Sequence, residues 1–231
     1  MVRKNVAIKS VPRSGDPGRA DNVRQIIFER AIELFDAKGF RGTSMNDIAE
    51  ACGVSKPAIY HYFRSKSHLL EMLYDSITAD FFLSMEKLAH STEGARARLR
   101  RLVRLQTLHN IENQRFLTIF WRERHEFDEL SRKALAARER EFEAWVTRII
   151  EEGKASGEFR DVDARTAMFG VLGLLSTVHR WAAYAGRNAE DVATDVADLL
   201  LVGIIKENAP NVRFEGEETC NFQNCSRGNG S

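Results

Sequence analysis

Three residues, Gly53-Val54-Ser55, separate two stretches that both read as helices, and so short a connection limits how those helices can meet. The first begins at Ser44-Met45-Asn46-Asp47. There the serine hydroxyl can accept the amide three residues on while Asp47 reaches back to the serine amide, the pattern of a capping box. The helix it opens runs to about Cys52, and Gly53 supplies a left-handed exit. Ser55 is a second N-cap, and Pro57 falls in the first turn of the next helix, where a missing N–H costs nothing. Two helices joined through a three-residue turn containing glycine form a helix-turn-helix.

The second of these helices, about 56–62, has an unusual composition for its two turns. Ile59 and Phe63 lie four apart and can face a small apolar wedge made with Leu34, Phe35, Ile48 and Val54. That leaves Lys56, Ala58, Tyr60, His61 and Tyr62 on or near the outside. Hydroxyls, an imidazole and an ammonium can bond phosphate oxygens, and ring faces and a methyl can touch thymine methyls. Charge supports a duplex as the partner. The net charge is only +1, but residues 1–66 carry twelve Lys or Arg against seven Asp or Glu, a balance of +5, while the remainder carries 22 against 26, a balance of −4. The basic end is the end that holds the motif.

Periodicity gives an all-α chain of about nine helices. A helical pattern starts at Asn22 with Ile27, Ala31, Leu34 and Phe35 on one side and stops at Gly39. Ser65 caps a fourth helix whose apolar positions Leu69, Leu73, Ile77, Phe81 and Met85 recur every four residues, long enough to join two domains. Further helices are expected at about 93–111, 113–124, 126–152, 163–186 and 188–206, divided by Gly153, Gly157 and Gly186. No stretch alternates long enough for a strand. The expected organisation is a flexible basic arm over 1–21, a helix-turn-helix domain over 22–66, a C-terminal helical domain over 67–208 and a disordered tail over 209–231. Cys52, Cys220 and Cys225 are too few and too scattered for a secreted disulfide framework. With no apolar run of membrane length and no signal-peptide centre, a cytoplasmic location is expected.

Residues 22–75, with GFRGTSMNDIAEACGVSKPAIYHYFRSKSHLLEMLYDSI at their centre, resemble the DNA-binding domain of the tetracycline-repressor family of bacterial regulators. The shared features run in order: Gly39-Phe40 after helix one, Thr43-Ser44, Ile48-Ala49, Gly53-Val54-Ser55, the aromatic cluster, and Ser65-Lys66 before Leu69-Leu70. Ser67 departs from the pattern, since many relatives carry an acidic residue there. The resemblance implies that Ser44 and Asn46 meet DNA from helix two and that Lys56, Pro57, Ala58, Tyr60, His61 and Tyr62 line helix three. It also implies that Lys66 holds a phosphate. It further implies a homodimeric repressor on a palindromic operator, released when a small molecule binds the C-terminal domain. The basic arm is longer than the resemblance requires and reads either as a minor-groove arm or as a solvated leader.

In the C-terminal part the last two helices carry Met168, Val171, Leu172, Leu175 and Val178, then Val192, Val196, Leu199, Leu200 and Ile204, with Gly170, Gly173 and Gly203 among them. Two copies of these stripes would pair as a four-helix bundle, or the stripes pack within one chain. Phe116, Phe120, Trp121, Arg124, His125, Trp145, Phe169, His179 and Tyr184 are candidates to surround an effector cavity, Trp181 beside them; each alone also suits an ordinary core. WRERHEF and VHRWAAY are loosely similar to segments in the branch of the family that senses acyl-coenzyme A thioesters and lipid or aromatic catabolites. Arg122, Arg124, Arg180 and Arg187 would then meet phosphates or a carboxylate, or simply pair with nearby glutamates; a multidrug or aromatic-compound sensor is the alternative. Enzymatic readings fare poorly. His125 and Glu129 share the zincin spacing without a second histidine, and there is no phosphate loop, nucleophile elbow or Cys-x-x-Cys pair. No cofactor or metal is expected, and a helical ligand-binding or enzymatic protein with a vestigial helix-turn-helix is the reading from another class.

Overall fold

The computed structural model describes residues 17–202, with side chains from 22 to 201. The described residues are helical throughout, with no strand. α1 spans Pro17–Lys38, α2 Met45–Cys52, α3 Lys56–Tyr62 and α4 Lys66–Ala89. α5 spans Ala95–Glu112, α6 Gln114–Glu123, α7 Glu129–Ala155, α8 Ala164–Leu175, α9 the single turn Val178–Trp181, and α10 Ala189–Val202. α1 therefore starts five residues before the expected Asn22, inside the stretch read as a flexible arm; Pro17 is suited to a first helical position because it has no N–H to leave unpaired. The remainder of the arm, the tail with Cys220 and Cys225, and Gly203 and Ile204 lie outside the described residues.

Local signals set the ends of the first helices. The Ser44 hydroxyl accepts from the Asp47 amide and the Asp47 carboxylate accepts from the Ser44 amide, so the capping box forms in both directions. These bonds hold the Asp47 carboxyl below its usual range. Gly53 ends α2 at φ 66°, a left-handed conformation that a side chain would oppose by about 1–2 kcal/mol. Ser55 caps α3 and Ser65 caps α4.

Two apolar cores follow. One gathers Ile27, Ala31 and Phe35 of α1, Ile48 of α2, Ile59 and Phe63 around α3, and Leu69, Leu70 and Leu73 of α4, together with Phe116, Ile119 and Phe120 of α6. The other joins Met85 and Leu88 of α4 to α5, α7, α8 and α10. α4 thus belongs to both, one end in each.

Two expectations are corrected here. The helix placed over 163–186 breaks after Leu175: the Asn110 side-chain amide donates to the Leu175 carbonyl at 2.8 Å, and the Ser176 and Thr177 hydroxyls donate to the Gly173 and Leu174 carbonyls. Side chains thereby satisfy carbonyls that a continuing helix would have bonded. Gly153 does not end α7. The helix passes through it to Ala155, and the Phe159 ring lies where a Cβ would stand, 2.2 Å from its ideal position. Of the stripes that could pair with a second copy or pack within one chain, Met168, Val171, Leu175, Val178, Val192 and Val196 are buried in the second core.

Candidate nucleic-acid interface and ligand cavity

α3 is held by one face and free on the other. Ile59 is fully buried and Phe63 stacks obliquely on Phe28 of α1 at 5.5 Å, which fixes the helix against the first core. Lys56, Pro57, Tyr60 and His61 are exposed, and Ala58 and Tyr62 half-buried, Tyr62 packing against the core edge. Ser44 and Asn46 of α2 are exposed as well, although the Ser44 hydroxyl is engaged with Asp47. Eight of the nine residues expected to meet DNA are thus exposed or half-buried, two at the start of α2 and six on α3. Lys66 is the ninth and is placed differently. Its ammonium donates to the carbonyl oxygens of Phe40 and of Thr43, the latter at 2.7 Å, and sits 4.3 Å from the centre of the Phe40 ring. Burial lowers its pKa. Lys66 thereby fastens the α1–α2 loop to α4, sharing the Phe40 carbonyl with the Thr43 amide.

The second site is a cavity of about 330 Å³ between the two cores. α4 contributes Tyr74, Thr78, Phe81 and Phe82; α5 contributes Gln106, His109 and Asn110. Leu117, Phe120, Trp121 and Arg124 come from α6 and its exit, Glu139, Phe142 and Glu143 from α7, and Leu172 and Ser176 from the end of α8. The walls are aromatic pairs. Tyr74 stacks on Phe120 at 4.3 Å and His109 on Phe81 at 4.5 Å, while Phe82 meets Phe142 edge to face at 6.0 Å. Arg124 stands over the Trp121 ring at 4.9 Å and is paired with both Glu139 oxygens, at 2.7 and 3.3 Å. Burial pushes the His109 imidazole down to about 4, so it is neutral at pH 7.

Of the nine residues expected around an effector, Phe120, Trp121 and Arg124 line this cavity. Phe116 stands behind Phe120, and Trp145 behind Phe142, both in the cores. His179 is buried in the α9 turn, with its pKa lowered by burial, and is not part of the lining. Phe169 and Tyr184 are 51% and 87% exposed on the outside, with Trp181 also at the surface. His125 follows α6 in a single 3-10 turn, its Nδ1 at 2.9 Å from the Arg122 carbonyl, so it shares no helix face with Glu129. The lining residues of α4, α5 and α7 were not anticipated. Their one sequence signal is polar residues at core positions: Gln106 and Asn110 interrupt the apolar stripe of α5, and Glu139 that of α7.

Glu123, His125 and Glu126 bring three potential metal-ligand atoms within 4.8 Å of one another. Glu123 is already paired with Arg122 and Glu126 with Arg41, so the group serves to neutralise arginines and to join the α6 exit to the α1–α2 loop. Cys52 is buried on α2, where loss of hydration pushes its thiol up to about 11 and removes it as a nucleophile. No helix among the described residues is long and apolar enough to cross a membrane.

Comparison with known proteins bears on both sites. Residues 27–73 match the family described as bacterial regulatory proteins, tetR family, and residues 92–204 match the tetracyclin repressor-like C-terminal domain. The transcriptional repressor NicS of Pseudomonas putida is 30% identical over 145 residues, covering 62% of this chain and 68% of that protein. The transcriptional repressor KstR2 of Rhodococcus jostii is 26% identical over 210 residues, covering 83% and 93%. A crystal structure of a TetR/AcrR-family regulator from Thermobifida fusca superposes with a TM-score of 0.66 at 33% identity, covering 80% of this chain and all of that one.

Proposed function

This chain belongs to the tetracycline-repressor family of bacterial transcriptional regulators, and from that premise we propose that it represses transcription as a homodimer on a palindromic operator until a small, largely apolar aromatic effector fills the cavity between its cores. The observation that carries the reading is α3 itself: a short helix anchored by Ile59 and Phe63, with Lys56, Tyr60 and His61 left outside to enter a major groove about 12 Å wide. Ser44 and Asn46 reach the flanking backbone from α2. Two such helices must stand about 34–36 Å apart to read successive turns of one duplex face, which calls for a dimer.

The faces left for that dimer are on α8 and α10. Phe169, Gly170 and Gly173 form one exposed row on α8, and a Cβ built at either glycine meets nothing within 4 Å in the single chain. Leu199 on α10 is 44% exposed. A second copy laid on this row would bury the Phe169 ring and bring the two helix backbones close at the glycines. An acyl-coenzyme A effector finds less support in the geometry, because Arg122, Arg124 and Arg187 are committed to Glu123, Glu139, and Asp191 and Asp195.

Selection of duplexes from a random pool tests the proposal. The protein should enrich a palindrome with half-sites one helical turn apart, and Tyr60→Ala should weaken binding to it by about 1–3 kcal/mol, as losing one groove contact does, with the dimer and helix content unchanged. Failure to enrich any duplex, or equal affinity for the Tyr60→Ala protein, would falsify the groove assignment.

A further inference from the structure

The charges around the cavity do not balance. Its lining holds one permanent cation, Arg124, and two carboxylates, Glu139 and Glu143. Arg124 is committed to Glu139 through both its terminal nitrogens. His109 stays neutral because it is buried against Phe81. Glu143, half-buried on α7, has no cation within 4 Å of its carboxylate among the described residues. The C-terminal end of α8 faces the same space through Leu172 and Ser176, and a helix C-terminus carries partial negative charge. The aromatic walls agree with these signs, since ring faces attract cations. At the margin this attraction is already in use, with Arg138 5.4 Å from the centre of the Phe82 ring and Arg124 over Trp121.

We propose that the effector is an aromatic amine in its protonated form: its ring lies among Phe81, Phe82 and Phe142, and its ammonium is held by the Glu143 carboxylate. This rests on the reading of the cavity as the effector site and narrows it to one chemical class. A neutral aromatic would leave Glu143 without a counter-charge. An anion would add a third negative group to a site whose one arginine is taken. Only a cation supplies the missing partner.

Three probes of nearly equal shape separate the possibilities: 2-naphthylmethylammonium, 2-naphthylmethanol and 2-naphthoate, each titrated into the full chain at pH 7.5 by calorimetry and by quenching of tryptophan fluorescence. The ammonium should bind at least tenfold more tightly than the alcohol, with the carboxylate weakest. Glu143→Gln, whose fold is checked by circular dichroism, should erase that preference while leaving the alcohol within about threefold of the wild type. Alcohol and ammonium of equal affinity in the wild type would overturn the assigned class and leave the cavity reading standing. Absence of binding by all three would overturn the cavity as effector site and the class with it. The wild-type series decides the matter even if the variant fails to fold.

Discussion

At the scale of single residues, the side chains that stabilise this protein are easily mistaken for those that serve its partners. Lys66 sits where the family resemblance implies a phosphate contact, yet its ammonium is bound to the Phe40 and Thr43 carbonyls. Lys66→Met should lower stability by about 1–3 kcal/mol, because two part-buried carbonyls lose a charged donor. It should leave unchanged the slope of log affinity against log salt, since that slope counts phosphates neutralised. A slope reduced by about one unit would restore the phosphate contact. His109 offers a test by pH. Its folded pKa lies near 4, below the ordinary value of 6.5, so the unfolded chain binds the proton first as pH falls. Stability from its neutral burial is complete above pH 6.5 and drains away toward pH 4. Between pH 7.5 and 5.0 the wild type should lose about 2 kcal/mol more than His109→Gln in denaturant melts. Parallel losses in the two proteins would mean that the ring is hydrated in the folded state.

At the scale of elements, the helix ends were legible wherever capping chemistry is local. The Ser44–Asp47 box, the Gly53 exit, Ser55 before Pro57, and Ser65 all act within three residues, and all four helix ends form where those residues place them. What could not be read depends on distant partners. α8 ends because Asn110, 65 positions away, takes its last carbonyl. α7 runs through Gly153 because Phe159 folds back over it, a role for glycine that has nothing to do with stopping a helix. Gly153→Ala should raise local helix propensity yet still destabilise the chain by about 1–3 kcal/mol, as the added methyl displaces the Phe159 ring. A rise in melting temperature would show that the ring moves aside freely. The cavity was only partly legible for a related reason. Aromatic residues at helical spacing look alike whether they fill a core or line a space, so Phe116 and Trp145 were grouped with Phe120 and Trp121. Gln106, Asn110 and Glu139, polar at core positions, carried the better signal.

For the molecule as a whole, regulation requires that the groove-facing helices and the cavity share moving parts. α4 and α6 are shared: both enter the first core and both line the cavity, and Arg115 of α6 is paired with Asp36 of α1. An effector shifts the equilibrium only to the extent that it binds the released form more tightly than the operator-bound form. On the proposed reading, the dimer must exist before either form can be read by DNA. Phe169→Asp should therefore shift the protein toward monomer in sedimentation and weaken operator binding, while the helix content of each chain is kept, because Phe169 belongs to neither of the chain's own cores. A dimer unaffected by this charge would place the interface elsewhere.

The unbroken course of α4 sets the scale of what an effector has to accomplish. Its 24 residues make a stiff lever about 36 Å long, touched by the ring-lined chamber along its middle and gripped at its first turns by the core that carries α3. Tilting such an arm about its middle by about 10° swings its tip by about 3 Å, nearly the rise of one base pair. Under the proposed mode of regulation, induction asks for no unfolding and no large rearrangement, only a wedge the width of an aromatic ring.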